Sequence, residues 1–427
     1  MNLQAWAERL LAVPSAPDAI ERHLEDTLAA FLCGLDTNEG EELARFFAGR
    51  PAELAAAAAA ITRLSECDDI HLRSCITAGS VVIPIALAFA HKGDENAFNR
   101  AVSAGYKAGL TLGGAISGAK ALPAAWPTLL AAPLMAAVTA SLLKGHDHDR
   151  LAHAMALALS GASGRLGRPS GTLSGRWAIF AEAVGKGIRA AEMACHGFCG
   201  DLALLSEAWL AAQAGQSDVD AGIWDTGADI SDVGFKPFPI ARQGANAVAA
   251  FQRLLLPGLD PRRIDSVEVF VPAMNVMLLK RQFVEGDRLS RLANIGFQLA
   301  CAAFAPGMLY DPERNGPAGP LMDFARRVSV SPAGDLDQYL PHRWPARVVI
   351  KIGSEQLEET VIDMDFDAPA GKNEILQRLQ QKWRRLLPED NHRDFASNLA
   401  GAGPGRHAML WQWLEGRLRG AAHKGRL

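Results

Sequence analysis

The sequence lacks most of the features that mark secreted, membrane-embedded or nucleotide-dependent proteins. It has no CxxC pair. Its six cysteines, Cys33, Cys67, Cys75, Cys195, Cys199 and Cys301, stand singly in mostly apolar, helical surroundings. That pattern predicts reduced, buried thiols and not a disulfide framework. No run approaches the roughly 20 apolar residues that a membrane span needs, since the Ala-rich run from Ala55 to Ile61 is short and flanked by charges. The first residues carry Glu8 early and have no long apolar core after a basic start, so no signal peptide is expected and a soluble, cytoplasmic protein is. Neither sign of charge dominates: 43 Lys+Arg against 47 Asp+Glu leave a formal charge of -4. No global field would hold nucleic acid or an anionic membrane, so any attraction for anions must be local. No strand-to-helix junction carries GxGxxG, and no Gly-Lys-Ser/Thr follows a glycine by the P-loop spacing, so no nucleotide cofactor is indicated.

What is present is helix. At 427 residues with 49% hydrophobic content, the chain is too long for a single core and has ample material for two. From Ser15 to about Ala212 it reads as successive helices set apart by Gly, Pro and Asp, among them Asp18 to Leu35, Pro51 to Glu66, Asn96 to Leu112, Pro127 to Leu143, Asp149 to Ser160 and Arg176 to His196. After Ile230 the pattern changes. A helix at Ala245 to Leu255 precedes Ile264 to Val271, whose alternation of apolar and polar residues marks a half-buried strand. Arg347 to Ile352 and Glu359 to Met364 repeat that signature about Gly353 and predict a hairpin. A helix from Leu289 to Ala305, a strand at Arg327 to Val330 and a helix from Asn373 to Leu386 complete an α+β pattern. The expected fold is therefore mainly α: a large all-α domain over residues 1–240, completed by C-terminal helices in 390–427, and a smaller α+β domain over 241–389. In the tail, Trp411 and Trp413 are expected to dock on the helical part.

Three segments carry residue types suited to chemistry. Cys67-Asp-Asp-Ile-His-Leu-Arg-Ser-Cys-Ile-Thr-Ala-Gly79 sets Asp69, His71, Arg73 and Thr77 in a loop before a helix, and a helix N-terminus favours anions. A capped, solvated loop is the plainer reading. Gly161 to Arg176 places Arg165, Arg168 and Arg176 among glycines and hydroxyls, a composition suited to bidentate carboxylate binding or simply to a surface loop. Phe235-Lys-Pro-Phe-Pro-Ile-Ala-Arg242 is stiffened by two prolines that also remove backbone donors, so Lys236 and Arg242 are expected to be held. No metal is expected: Gly145-His-Asp-His-Asp149 reads as a solvated turn without partner ligands at zinc spacing, and Cys195, His196 and Cys199 read as buried packing.

Taken in order, these segments resemble the MmgE/PrpD family of dehydratases, decarboxylases and epimerases. Asp68-Asp69-Ile-His71 leading to Thr77-Ala-Gly79 and an apolar helix is similar to the family's Asp-Asp followed by His-Pro-Gly. Trp126-Pro-Thr128 resembles its His-Pro-Thr helix start. Gly175 to Phe198 resembles its basic residue and Gly-x-x-Ala-Ala helix, Lys236-Pro-Phe-Pro239 its Lys-Pro-Tyr-Pro, and Arg291 to Ala300 its Ser-Ile-Pro-Tyr helix; Trp344-Pro-Ala-Arg347 completes the order.

The resemblance implies a homodimer, a cofactor-free pocket at the interface, and proton removal beside a carboxylate of a small di- or tricarboxylic acid. It implies catalytic positions at Lys236, His71, Asp69 and Thr77. Carboxylate-binding positions would be Arg176 and Arg242, with Arg73 or Arg165, and Trp126 would shape the pocket. In this reading Asp69 orients His71. Three departures stand out: Thr77 and Trp126 occupy places where the family has histidines, and the histidine that often follows the Lys-Pro-Phe-Pro segment is replaced within Ile240 to Ala245. They imply an altered active site, with a lyase as the expected activity, an epimerase as the alternative, and a binding or accessory protein as the reading from another class.

Overall fold

The computed structural model describes residues 2–90, 94–122, 124–166, 175–255, 258–314, 318–364, 372–401, 403 and 405–423. Arg168 of the glycine-rich second segment lies outside the described residues. The chain is mainly α-helical with one small four-stranded sheet. It divides into two compact units, the first built on the residues up to Gly234 and those from Leu387 onward, the second on Phe235–Leu386.

The first unit begins with α1 (Leu3–Leu11), α2 (Pro17–Leu35), α3 (Asn38–Phe47), α4 (Leu54–Leu64) and α5 (Gly79–Phe89). It continues through α6 (Glu95–Ala115), α7 (Pro127–Leu143), α8 (His148–Leu159), α9 (Gly175–Cys195) and α10 (Glu207–Ala214). The punctuation that marks these helices in the sequence works physically. Pro17 and Pro127 sit at first-turn positions, where a missing N–H costs nothing. Thr37, Asp94 and Asp147 cap α3, α6 and α8 by accepting first-turn N–H groups. Helices α4, α5 and α7 are buried almost all round, which is why they show apolar residues on every face instead of a stripe. Small residues set the spacing: a Cβ on Gly187 of α9 would lie 2.1 Å from the carbonyl oxygen of Pro133 in α7, so only glycine lets these helices meet.

The second unit holds α11 (Ala245–Leu255), α12 (Val276–Leu279), α13 (Arg288–Ala293), α14 (Ile295–Phe304), α15 (Ala318–Ala325) and α16 (Lys372–Leu386) around strands β1 (Ser266–Val271), β2 (Val328–Pro332), β3 (Ala346–Ile352) and β4 (Glu355–Val361). The sheet order is β2-β1-β3-β4, with β1 and β2 parallel and the other pairs antiparallel. Val267, Val269 and Val271 of β1 pack with Val348 and Ile350 of β3 in one core with residues of α11 and α14. The single helix expected from Leu289 to Ala305 is two helices, because Asn294 leaves helical geometry and caps α14 through the Phe297 N–H. The hairpin forms about Gly353 (φ +59°), but β4 starts at Glu355, earlier than the alternation suggested, since a tight turn leaves no room for a longer loop.

The chain ends in the first unit with α17 (Glu389–Leu399) and α18 (Arg406–His423). Helix α18 packs on α3 and α5 through Leu410, Leu414 and Leu418, one per turn. The tail tryptophans do not lead this docking: both are only half-buried, and the Trp413 indole N–H donates to Asp394 at 2.8 Å. Cys33, Cys67, Cys75 and Cys301 are buried free thiols, whereas Cys195 and Cys199 are exposed. The helix ends at Cys195, and Gly197 (φ +86°) turns the chain outward before Cys199. His146, expected in a solvated turn, is buried. Its pKa is lowered by that burial and by the Arg150 and Lys144 charges beside it.

Candidate active site

The loop between α4 and α5 is buried over most of its length, so the solvated reading of Cys67 to Thr77 does not hold. It is pinned at both ends by non-glycine residues in the left-handed region, Glu66 (φ 56°) and Cys75 (φ 54°). Such conformations cost on the order of 1–3 kcal/mol each and persist where surrounding contacts over-determine them. The contacts are visible. Ile70 forms a two-way bridge with Gly234, and the His71 N–H donates to the Ile76 carbonyl at 2.9 Å. Arg63, at the end of α4, reaches Glu66 at 3.0 Å and Asp68 at 3.3 Å. Burial alone would lower the Arg63 pKa, but these two carboxylates outweigh it and hold the guanidinium charged.

Asp69 is the hub of the loop. Its Oδ1 accepts the Gly79 N–H at 3.0 Å, capping the first turn of α5. Its Oδ2 accepts the Tyr106 hydroxyl at 2.7 Å and lies 2.9 Å from Nδ1 of His23. Glycine is required at position 79, because a Cβ there would come within 2.7 Å of both Asp69 Oδ2 and the Tyr106 oxygen and 2.8 Å of Thr27 Oγ1. Burial and the neighbouring Asp69 charge push the Tyr106 pKa well above its ordinary value, so the phenol remains a donor. The expected pairing of Asp69 with His71 is replaced: His23 takes that place, and His71 Nδ1 lies 2.8 Å from Ser74 Oγ.

The starts of α5 and α7 meet at Thr77 and Thr128. The Thr77 N–H donates to Thr128 Oγ1 at 3.2 Å, and the two hydroxyls are 3.3 Å apart. Trp126, two residues earlier, is the N-cap of α7, and its own N–H donates to the Gly164 carbonyl at 2.8 Å. Its ring stacks on Phe180 (5.3 Å, 28°) and meets Trp177 edge-on (5.9 Å, 83°), both from α9. Two guanidiniums lie against this aromatic group. Arg63 is 5.2 Å and Arg176 5.4 Å from the Trp126 ring centre, within the range where a cation gains from the ring's quadrupole.

The first unit thus joins Asp69 to the start of α5, Thr77 to Thr128 at the start of α7, and Arg176 to Trp126 beside that start, while His71 meets Ser74 within the loop. It does not bring the side chains of Arg73 and Arg165 into these contacts. The Arg73 guanidinium reaches the Thr226 carbonyl at 3.5 Å, and that of Arg165 donates to the Ala212 carbonyl at 2.7 Å. Lys236 and Arg242 belong to the second unit, where both are almost fully buried. Arg242 donates to Asn246 Oδ1 at 3.1 Å, and Asn246 in turn donates to the Ile362 carbonyl at 2.9 Å, beside the end of β4. The prolines of the Lys236 segment are anchored by Arg314, whose guanidinium donates to the Pro239 carbonyl and reaches Gln298 Oε1 at 3.3 Å. Sequence reasoning missed His23, Arg63, Tyr106 and Arg314, and named Thr128 only as part of the Trp126 motif. A histidine or tyrosine on the apolar face of a helix was the only signal available for two of them.

Among the described residues no group of three or more His, Cys, Asp or Glu side chains is placed to hold a metal ion, and no helix is long and apolar enough to cross a membrane. An all-α unit with a polar loop capping one buried helix, and hydroxyls joining it to the start of another, agrees with the order of motifs in the sequence. Residues 12–221 match the MmgE/PrpD N-terminal domain, and the chain belongs to the MmgE/PrpD family. That family includes lyase-type dehydratases, which makes an enzyme the general expectation. No curated protein matches the chain.

Proposed function

We propose that the protein is a cofactor-independent lyase that removes a proton beside a carboxylate of a small di- or tricarboxylic acid. The observation that carries this reading is the placement of the Arg176 guanidinium 5.4 Å from the centre of the Trp126 ring, at the start of the helix whose Thr128 hydroxyl lies 3.3 Å from that of Thr77. A guanidinium held on an aromatic surface is partly shielded from water. It then binds a carboxylate more strongly than a fully solvated one and stabilises enediolate-like charge as it develops. Arg63 lies on the same ring with its charge matched by Asp68 and Glu66.

Lys236 is assigned as the acid or base, His71 as its partner, and Arg242 as a second carboxylate ligand; these roles rest on the family resemblance of their segments. Trp126, large where relatives have an imidazole, restricts which acid fits. In place of the missing imidazoles, the Lys236 amine would move the proton with His71 as its partner. A homodimer and a cytoplasmic setting belong to the same proposal.

An epimerase acting on a dicarboxylate is the second reading, favoured by the same loss of imidazoles, since epimerisation needs no group to protonate a leaving oxygen. Incubation in heavy water with a panel of di- and tricarboxylic acids, followed by NMR, tests both. Deuterium at a carbon beside a carboxylate with loss of water or carbon dioxide supports the lyase; deuterium without net loss supports the epimerase. Tight binding of an acid without exchange over hours contradicts both and leaves a binding protein.

A further inference from the structure

His23, in the middle of α2, is 46 residues from Asp69 in sequence, yet the two side chains lie 2.9 Å apart and are each 2% exposed. An ionised carboxylate only accepts hydrogen bonds, and Asp69 receives three: the Gly79 N–H, the Tyr106 hydroxyl and His23. The proton on His23 is therefore on Nδ1, and the tautomer is fixed by its partner. Deprived of His23, the carboxylate would keep two donors in a site closed to water, where an under-satisfied charge is costly. The consequence would reach the loop, because Asp69 ties it to the first turn of α5 at Gly79, two residues beyond Thr77.

We infer that His23 is a positioning residue of this site: its Nδ1–H, together with the Tyr106 hydroxyl, holds the Asp69 carboxylate on the Gly79 N–H and so fixes the loop that carries His71 and Thr77. It works through Asp69 and needs no contact with substrate. The part of the inference that concerns turnover rests on the proposed activity; the part that concerns the loop does not.

Two variants separate donor from volume. His23→Asn keeps an N–H near the Nδ1 position, whereas His23→Leu keeps bulk and removes the donor. Hydrogen–deuterium exchange of the full chain, read at the Gly79 amide, is expected to be unchanged in His23→Asn and faster in His23→Leu. NMR of the 15N-histidine-labelled protein is expected to show His23 protonated at Nδ1. In the heavy-water assay, with whichever acid the wild type exchanges, His23→Leu is expected to lose about tenfold in kcat with KM little changed, the size typical of lost outer hydrogen-bond partners. His23→Asn should stay within about threefold of wild type. Equal Gly79 exchange in both variants, or a His23 protonated only at Nε2, overturns the inference. If the wild type exchanges no acid at all, the proposed function fails while the Gly79 and histidine measurements still decide this one.

Discussion

The guanidinium of Arg63 lies 5.2 Å from the ring centre of Trp126 while its own Nη1 bridges Glu66 and Asp68. One buried cation thus joins the loop before α5 to the start of α7. The Asp68 side chain is 1% exposed and meets the Arg63 guanidinium at 3.3 Å. Arg63→Met is expected to destabilise the chain by about 3–5 kcal/mol, the cost of removing one member of a buried ion pair. Urea unfolding measures this, and Asp68→Asn placed in the same chain should recover part of the loss. A loss below about 1 kcal/mol would mean the pair is solvent-screened.

Gly79→Ala tests the cap on α5. Its new methyl would overlap Asp69, Tyr106 and Thr27 together. The expected loss is about 1–3 kcal/mol from overpacking, with a larger proportional fall in any exchange activity because the Asp69 contact is the one displaced. A variant as stable as wild type would show that the first turn of α5 yields easily.

A third expectation concerns pH. Glu25 of α2 has its pKa raised to about 7, chiefly by burial, then by Glu21 and Asp26, with Arg406 of α18 opposing. Arg406 is itself forked onto Glu21. Because the folded-state value lies above the unfolded one, the native chain holds this proton more tightly. That contribution is full below about 4.5 and is lost as pH rises through about 7. His407, beside it, is stacked on Phe98 and has its pKa lowered by burial and Arg406, which acts in the opposite sense. Comparison of Glu25→Gln with wild type removes the His407 part. The variant should melt higher than wild type at pH 8 and no higher at pH 4.5; a constant difference across that range would contradict the assignment.

Thiol chemistry checks the packing independently. Cys195 and Cys199 should react rapidly with an aromatic disulfide reagent, while Cys33, Cys67, Cys75 and Cys301 wait for unfolding. Cys301 is further protected because burial raises its pKa to about 11, and the thiolate is the reactive form. More than two fast thiols in the native chain would contradict the burial described above.

The helices were legible wherever local chemistry ends them. Pro127 to Leu143 and Ala245 to Leu255 begin and end in the structure where the sequence placed them. The break at Asn294 was not, because a capping side chain inside an apolar run looks like one polar residue on a helix until its bond to Phe297 is seen. In the site, the motif loop was visible from residue type and spacing, and the Trp126 segment only through the family resemblance. His23 and Tyr106 were hidden, since each sits within a long helix and acquires meaning only from Asp69, which lies 46 and 37 residues away in sequence. Arg73 shows the converse: a cation inside a promising loop whose side chain turns to the Thr226 backbone carbonyl.

The central claim, proton removal from a small polycarboxylate with Lys236 as the acid or base, is tested most directly by Lys236→Ala in the heavy-water assay, with circular dichroism confirming the fold. Abolished deuterium incorporation in a folded variant is the expected result. Incorporation at the wild-type rate would contradict the assignment of Lys236 and the mechanism built on it.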